Sequence, residues 1–205
     1  MSYLKQLFDK YGCDKGYRHA YHTLYEPEFE AIRHLELNIL EVGVLRGESI
    51  EAWVEYFPNS LIWGLDTFER VPPQQIPVLS NHRVHTIQGD SQDPKILSEF
   101  GINPPVFDII IDDGEHSAAG VFNTFQVLST LLRHTGLYYI EDFVPSHVDP
   151  HTSVRRLDLW EPSEVSLMIK SIENQYGYHT VLRDSREQSG KDNSVILRAG
   201  RYGNG

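Results

Sequence analysis

The sequence predicts an α/β fold in which a doubly wound, mostly parallel sheet of seven strands ends in an antiparallel hairpin. Two observations support this fold class. Short apolar runs alternate with amphipathic stretches between about residues 38 and 141, as they do in successive strand–helix units. Near the C-terminus, two further strand-like runs are joined only by a polar turn. Helical crossovers connect parallel strands, whereas a short turn connects antiparallel ones.

The individual elements follow from the local pattern of apolar residues. The candidate strands are residues 38–42, 61–65, 84–88, 107–111, 137–140, 178–182 and 194–197. The candidate helices are residues 3–11, 24–35, 48–56, 94–100, 118–132 and 163–176. In the fifth of these helices, Val121, Phe125, Leu128 and Leu132 recur at a spacing that lines one face. The short apolar runs in the first half of the chain are typical of buried parallel strands.

The length of 205 residues favours a single domain, residues 1–205, with a sizeable core. We expect a helical cap and linker in residues 1–37, a core in residues 38–199 and a fraying tail in residues 200–205. Residues 143–162 show no clean period. A loop of that length in a compact domain is usually functional, so we expect it to form a lid.

Composition excludes several classes of partner. A net charge of −11 argues against nucleic acid, because binders of the phosphate backbone need a basic stripe and the sequence has none. The single Cys13 cannot form an internal disulfide. The sequence shows no signal peptide and no apolar stretch of membrane-spanning length, so we expect no membrane partner and a cytoplasmic location.

Two acidic clusters follow two neighbouring candidate strands. Asp112 and Asp113 come directly after the fourth strand, and Glu141 and Asp142 come directly after the fifth. Parallel strands present their carboxyl ends at one edge of the sheet, where open α/β folds bind ligands, so these carboxylates should converge. Converging carboxylates without a matching basic cluster favour a hard cation such as Mg²⁺. The alternative is that some of them only cap helices.

Two residues of the first cluster have specific alternatives. His116 lies three residues after Asp113, close enough to act as a base beside a cation, or it is a helix-start histidine with a satisfied hydrogen bond. Asp112 is more ambiguous, because strand alternation sends neighbours to opposite sides of the sheet. That alternation favours a structural or supporting role for Asp112 over metal ligation.

A turn with two glycines follows the first candidate strand. Gly43 and Gly47 would let a ligand approach the backbone, beside a helix N-terminus that offers free N–H groups. The spacing differs from the G-x-G-x-x-G of dinucleotide-binding folds, and Glu41 would repel a pyrophosphate. Asp66, which ends the second strand, suits the two hydroxyls of a ribose. Residues 89–91, after the third strand, could meet an adenine.

The order of these motifs resembles that of class I S-adenosylmethionine-dependent methyltransferases. The runs Gly12-Cys-Asp-Lys15, His19-Ala-Tyr21 and Tyr25-Glu26 are similar to the G-[ST]-D-K…H-x-Y…Y-E pattern of metal-dependent O-methyltransferases that modify deoxysugars of macrolides and related glycosides. The resemblance spans roughly residues 9–142, and Cys13 departs from the usual Ser or Thr. It implies a Rossmann-like sheet, S-adenosylmethionine as cofactor, and a small-molecule acceptor whose sugar hydroxyl is methylated.

The resemblance also implies roles for individual residues. Asp113, Glu141 and Asp142 would hold Mg²⁺, with Mn²⁺ able to substitute, and His116 would act as general base beside Asp113. The residues expected around the cofactor are Glu41, Gly43, Gly47, Ser49, Asp66, Asp90, Ser91 and Asp112. The residues that could contact the acceptor or close over it are Lys15, His19, Tyr21, His22 and Trp160.

Simpler roles stay open for the last group. His19, Tyr21 and His22 could equally pack or lie on the surface. Lys15 beside Asp14 could be only a solvated turn, and a lone Trp in a lid is commonly a buried anchor.

Three other functions also stay open. A phenol or catechol acceptor would use the same metal chemistry, because vicinal hydroxyls on an aromatic ring chelate equally well. A nucleotide-binding oxidoreductase or oxygenase is a second alternative, although non-haem iron needs two histidines and only His116 lies near the acids. A catalytically silent assembly subunit is the third. The sequence determines neither the acceptor nor the oligomeric state, and a homo-oligomer is compatible with it.

Overall fold

The computed structural model describes residues 2–101, 104, 106–143, 162–190 and 195–201. Its strands are β1 (Asn38–Val42), β2 (Leu61–Asp66), β3 (Val84–Gln88), β4 (Phe107–Asp112), β5 (Leu132–Ile140), β6 (His179–Asp184) and β7 (Val195–Gly200). They form one sheet in the order β3-β2-β1-β4-β5-β7-β6. Strands β1 to β5 are parallel, and β7 pairs antiparallel with both β5 and β6. The predicted fold class is confirmed.

Helices cover both faces of this sheet. They are α1 (Tyr3–Tyr11), α2 (Asp14–Tyr17), α3 (His22–Phe29), α4 (Glu48–Tyr56), α5 (Ala118–Leu128), α6 (Pro162–Tyr176) and α7 (Arg186–Ser189). Because side chains alternate along a strand, Ile109 and Ile111 of β4 join one core with α1, α3 and α4, whereas Ile110 joins the other with α5 and α6. Within the described ranges, no helix combines the length and apolarity needed to cross a membrane.

Three predicted helices differ in extent or type. The predicted helix 24–35 is α3, which begins at His22 and gives way to turns after Phe29. Pro27 lies inside it and has no N–H for the helical hydrogen bond to the carbonyl of residue 23. The predicted helix 118–132 is α-helical only to Leu128 and ends in a 3₁₀ turn. Residues 94–100, predicted as an α-helix, form a 3₁₀ segment.

Strand β5 begins at Leu132, well before the predicted start at residue 137. Leu132 pairs with Phe107 and Leu137 pairs with Ile109, so the intervening residues 133–136 lie where the register shifts. These residues are polar or glycine, and such an irregularity breaks the apolar pattern from which strands are predicted. The early start of β5 was therefore not visible in the sequence.

The C-terminal strands are longer than predicted. Strands β6 and β7 run to Asp184 and Gly200, beyond the predicted ends at residues 182 and 197. Gly200, expected to fray, pairs with both Leu137 and His179. Helix α7 occupies part of the predicted polar turn. Most of the predicted lid lies outside the described residues.

The N-terminal cap is tied to the sheet by Glu28 of α3. Its carboxylate accepts hydrogen bonds from the Tyr139 hydroxyl of β5 (2.6 Å) and from Arg198 Nε of β7 (2.9 Å), and Arg183 of β6 forms a further ion pair with it. One helix therefore contacts three strands through a single half-buried carboxylate. This anchoring fixes the linker between α1 and α3 above the carboxyl ends of the strands.

The turn after β1 packs directly on the segment after β4. Gly43 has a φ of +88°, and a Cβ on it would lie 2.1 Å from the backbone oxygen of Asp113. Its N–H donates to the Leu65 carbonyl (2.9 Å), and the Asp113 N–H donates to the Val42 carbonyl (2.9 Å). Only glycine fits this conformation and this close approach. The two predicted ligand-binding segments are therefore adjacent in the fold.

Replacement of Gly43 by alanine should destabilise the fold strongly, since the new Cβ would collide with a backbone carbonyl that cannot move aside. Gly177→Ala is a matched control, because Gly177 also has a positive φ (+69°) but no heavy atom within 4 Å of an added Cβ. We expect the control to lose about 1–2 kcal/mol, the cost of the left-handed conformation, and Gly43→Ala to lose several times more. Urea unfolding measures both; equal losses would contradict the packing argument.

Candidate active site

A cavity of about 840 Å³ lies at the carboxyl ends of the parallel strands. This volume is within the usual range for small-molecule and cofactor sites. Ten of the predicted site residues line it: Gly43, Asp66, Asp90, Ser91, Asp113, His116, Glu141, Asp142, His19 and Tyr21. The wall also contains residues that the sequence analysis did not single out, among them Arg18, Thr67, Glu69, Arg70 and Gln92. Their polar character does not identify them as site residues in the sequence, because polar residues are common in any turn.

Asp66 lies on the cavity wall and also holds the turn after β1. Its Oδ2 accepts hydrogen bonds from the N–H groups of Val44 (2.8 Å) and Leu45 (3.1 Å), and its Oδ1 accepts one from the Phe68 N–H (2.7 Å). A carboxylate oxygen has two lone pairs, so one acceptor position on Oδ1 remains for a ligand. Acceptance of both hydroxyls of a ribose would require a backbone hydrogen bond to give way.

The turn after β3 is fixed by side-chain contacts. Ser91 Oγ lies 2.8 Å from Thr124 Oγ1 of α5, and Asp90 Oδ1 accepts a hydrogen bond from the Gln92 N–H (2.9 Å). Ser91 is buried while Asp90 is exposed. The structure thus places both predicted residues at the cavity, with Asp90 the more available to a ligand.

Three predicted cofactor residues around α4 lie beneath the cavity, not on its wall. Glu41 is fully buried, and its Oε2 accepts a hydrogen bond from Ser49 Oγ (2.8 Å). Gly47 is the N-cap of α4 and is covered by the side chains of Ile76 and Val78. The sequence predicted that these residues contact the cofactor directly. In the structure their own partners already enclose them.

Asp112 is likewise buried and does not line the cavity. It accepts hydrogen bonds from the Gly114 N–H (3.3 Å) and the Tyr138 hydroxyl (3.5 Å). Burial raises the pKa of Asp112 to about 7, although both hydrogen bonds act in the opposite direction. The position agrees with the supporting role that strand alternation favours, and not with direct cofactor contact.

Lys15 is the residue whose environment differs most from expectation. A solvated turn beside Asp14 was one prediction, but the side chain is only 2% exposed. Its ammonium group lies 2.5 Å from Asp113 Oδ2, 2.5 Å from Glu141 Oε2 and 3.5 Å from Glu41 Oε1. Burial alone would lower the pKa of Lys15, but the three carboxylates raise it well above its ordinary value. The acidic cluster therefore contains a basic partner.

Aromatic residues of the linker and α3 orient the carboxylates after β5. The Tyr25 hydroxyl donates to Glu141 Oε1 (2.5 Å), and the Tyr21 hydroxyl donates to Asp142 Oδ1 (2.6 Å). His19 stacks on Tyr21 and places its Nδ1 3.6 Å from Asp142 Oδ1. Asp142 has a φ of +50°, a strained conformation that these contacts help to maintain. In the sequence Tyr25 is only part of a motif, and its spacing does not reveal its contact with Glu141.

His116 lies at the cavity wall with its Nε2 3.7 Å from Asp113 Oδ1, and its side chain is 42% exposed. It is therefore the more accessible histidine of the site. His19 is buried, and this burial lowers its pKa, against the opposing effects of Asp142 and Asp14. A base must reach a substrate proton, so geometry favours His116 over His19.

One predicted lid or acceptor residue, His22, is not part of this arrangement. His22 lines a separate shallow depression with Ser2, Thr23 and Glu26, away from the cavity. Trp160 lies outside the described residues. The structure therefore supports His19 and Tyr21 at the cavity, but gives His22 no place there.

Within the described ranges, no three His, Cys, Asp or Glu side chains form a group that could hold a metal ion as they stand. The contacts explain this finding. The Lys15 ammonium bridges Asp113 and Glu141, and Asp142 is turned toward the Tyr21 hydroxyl. The donor atoms nevertheless suit a hard divalent cation, since all are carboxylate oxygens at the ends of adjacent strands. Binding through Asp113 Oδ2 would require that oxygen to leave Lys15.

Comparison with known proteins supplies independent information. Over 147 residues, 68% of the chain, the sequence is 34% identical to 8-demethyl-8-(2-methoxy-alpha-L-rhamnosyl)-tetracenomycin-C 3'-O-methyltransferase of Streptomyces olivaceus. It is 33% identical, also over 147 residues, to mycinamicin VI 2''-O-methyltransferase of Micromonospora griseorubida. The matches cover 36% and 35% of these relatives, so the chain spans about a third of their length. No protein-family model matches the chain.

The comparison of the fold with solved structures agrees with the comparison of sequences. MycE methyltransferase of mycinamycin biosynthesis, solved with Mg, SAH and mycinamycin VI, superposes with a TM-score of 0.72 and 28% identity, over 98% of this chain and 56% of MycE. The chain is a homologue of these sugar O-methyltransferases. A Staphylococcus aureus protein assigned as a caffeoyl-CoA O-methyltransferase matches with a TM-score of 0.59 and 18% identity, which shows a shared fold alone.

The buried carboxyl of this methyltransferase homologue, Asp112, should shape its pH-dependent stability. Its pKa is about 7 in the fold and 3.8 ordinarily. The folded state holds the Asp112 proton more tightly than the unfolded state does. The contribution of Asp112 to the free energy of unfolding is therefore fully present below pH 3.8 and is lost as the pH rises toward 7. Asp112→Asn should remove this dependence, so that the variant's free energy of unfolding relative to the parent rises by about 1.4 kcal/mol per pH unit in that window.

Urea unfolding of parent and variant between these pH values, with a chelator present, checks the prediction. Asp93→Asn is the control, because Asp93 is exposed and caps only the 3₁₀ segment after β3. Parallel pH profiles for the parent and Asp112→Asn would show that Asp112 is ionised in the fold.

Proposed function

We propose that the chain is an S-adenosylmethionine-dependent O-methyltransferase that acts on a sugar hydroxyl of a glycosylated natural product, with a divalent cation. One observation carries this proposal. A single cavity has a glycine turn with Asp66 on one side, and Asp113, His116 and Asp142 on the other. The names of the relatives supply the acceptor class, since both are O-methyltransferases of glycosylated compounds.

The cofactor side of the cavity suits a nucleoside sulfonium. Gly43 lets a ligand approach the turn after β1, and the remaining acceptor position on Asp66 Oδ1 suits a ribose hydroxyl. Asp90 lies at the wall near the end of β3, where it can accept a hydrogen bond from an adenine amino group. S-adenosylmethionine, when bound, supplies an electrophilic methyl group. The protein's task is to hold that group in line with the acceptor oxygen.

The acceptor side contains the groups that hold and deprotonate a hydroxyl. Asp113, Glu141 and Asp142 would hold Mg²⁺ or Mn²⁺, which supplies a positive charge that orients vicinal hydroxyls and stabilises negative charge on oxygen. Tyr25 fixes Glu141 through its hydroxyl. His116 Nε2, held beside Asp113, removes the proton from the acceptor hydroxyl.

The decisive experiment separates cofactor class from acceptor class. Calorimetry with S-adenosylmethionine, NAD and 2-oxoglutarate should show binding of the first only. Incubation with labelled S-adenosylmethionine, Mg²⁺ and a panel of glycosides and phenols should then transfer label to glycosides. Excess chelator should abolish transfer while S-adenosylmethionine stays bound. Transfer only to phenols would change the acceptor class, and full activity in chelator would remove the cation from the proposal.

Asp66→Ala should weaken binding of S-adenosylmethionine by about 1.5–3 kcal/mol, the usual loss for a hydrogen bond to a charged group. Asp93→Ala is the matched control, since Asp93 also accepts a hydrogen bond from a backbone N–H but lies away from the cavity. Calorimetry measures both affinities. An Asp66→Ala variant that binds as tightly as the control would refute the assignment of Asp66 to the ribose.

His116→Ala should keep the fold and the affinity for S-adenosylmethionine while it lowers turnover by about 10²–10⁴, the usual contribution of a positioned base. His134→Ala is the control, because His134 is exposed on β5 and does not line the cavity. Single-turnover methyl transfer measures the effect. Parent-like turnover in His116→Ala, together with an inactive His19→Ala variant, would move the role of base to His19.

A further inference from the structure

Lys15 lies where it would obstruct the cation proposed for this site. Its ammonium bridges Asp113 Oδ2 and Glu141 Oε2 at 2.5 Å each. Asp113 is the more accessible of the two carboxylates, with a side chain that is 27% exposed, whereas Glu141 is 2% exposed. A divalent cation that enters from the cavity would therefore meet Asp113 first. The Oδ2 atom of Asp113 is already bound by the Lys15 ammonium.

The ammonium cannot escape to solvent when it loses this partner. Lys15 is 2% exposed and is enclosed by the linker, β1 and the ends of β4 and β5. A buried charge that loses one of its partners is destabilised. Of the two carboxylates 2.5 Å from Lys15, only Glu141 would remain, so a second carboxylate within a short movement of the side chain would restore the pairing.

Glu41 offers such a partner. Its Oε1 lies 3.5 Å from the Lys15 ammonium and makes no hydrogen bond to the described residues. The indole N–H of Trp53 lowers the pKa of the same carboxyl, but its geometry completes no hydrogen bond to the described residues. Glu41 is fully buried, so water does not reach the unused oxygen. A buried acceptor without a donor is rare in folded proteins and calls for an explanation.

We propose that Lys15 is an exchangeable internal counter-ion, which bridges Asp113 and Glu141 until a divalent cation takes Asp113 and then moves to Glu41 Oε1. The inference rests on the proposed function, because it assumes a cation at Asp113. Lys15 remains positively charged in both positions and keeps its contact with Glu141. Glu141 thus keeps a positive partner whether or not a cation is bound, and Asp113 becomes free to bind the cation.

NMR of the unchanged protein tests the movement directly. Scalar couplings across hydrogen bonds, between the Lys15 side-chain nitrogen and carboxyl carbons, identify its partners. Without Mg²⁺ we expect correlations to Asp113 and Glu141; at saturating Mg²⁺ the Asp113 correlation should be replaced by one to Glu41. A correlation to Asp113 that persists at saturation would overturn the proposal.

A double-mutant cycle on Mg²⁺ affinity, measured by calorimetry, provides the second test. Glu41→Gln should weaken Mg²⁺ binding by roughly tenfold or more, the effect of a lost hydrogen bond to a charged group, because Lys15 then has no carboxylate to receive it. In a Lys15→Met background the same change should have little effect, since nothing needs to move. An equal loss in both backgrounds would mean that Glu41 acts only through its charge, and would overturn the proposal.

The controls separate this inference from the proposed function. Lys10→Met removes an exposed lysine that does not line the cavity and should leave Mg²⁺ affinity unchanged. If the parent binds no Mg²⁺, or if Asp113→Asn binds it equally well, the proposed cation and this inference both fail. If binding requires Asp113 but Lys15 keeps its partner, only this inference fails. Should Lys15→Met not fold, the NMR measurement on the parent decides alone.

Discussion

The ion cluster around Lys15 is the interaction on which the rest of the site depends. Three strand ends bring Glu41, Asp113 and Glu141 to one point, and two of these carboxylates are fully buried. Charges of like sign in a region of low polarity repel strongly, and burial raises the pKa of Glu41 to about 7 and that of Glu141 well above its ordinary value. One buried ammonium opposes this rise, because Lys15 lowers the pKa of both Glu41 and Glu141. The parallel sheet can close at this edge because a lysine from the linker lies among its acids.

This dependence explains why the N-terminal linker belongs to the site although it precedes the sheet in sequence. The cap is held by Glu28, which contacts β5, β6 and β7, and by aromatic packing of Tyr25 against Trp53 and Tyr139. These contacts fix α3 against the sheet. Lys15, on the preceding helix α2, is then held above the carboxyl ends of the strands. Loss of the anchor would therefore affect the acidic cluster as well as stability.

The sequence predicted the parts of this arrangement that arise from local patterns. Apolar runs identified every strand, and strand ends correctly brought Asp66, Asp113 and Asp142 to one cavity. What it could not predict depends on tertiary contacts. Spacing shows that Lys15 follows Asp14, but not that it is buried among acids contributed by distant strands. The early start of β5 was hidden by a register shift, and the enclosure of Glu41 by its own partners is a matter of packing that no local pattern records.

The position of Gly43 connects the two halves of the cavity physically. A Cβ on Gly43 would lie 2.1 Å from the backbone oxygen of Asp113, so the turn after β1 and the segment after β4 are in close backbone contact. Methyl transfer requires donor and acceptor atoms to meet at about 3–3.5 Å in line, and small displacements reduce the rate steeply. In the proposed reaction, the alignment of methyl donor and acceptor would therefore depend on the missing Cβ of Gly43, while the carboxylates around Lys15 would adjust to the cation and the acceptor.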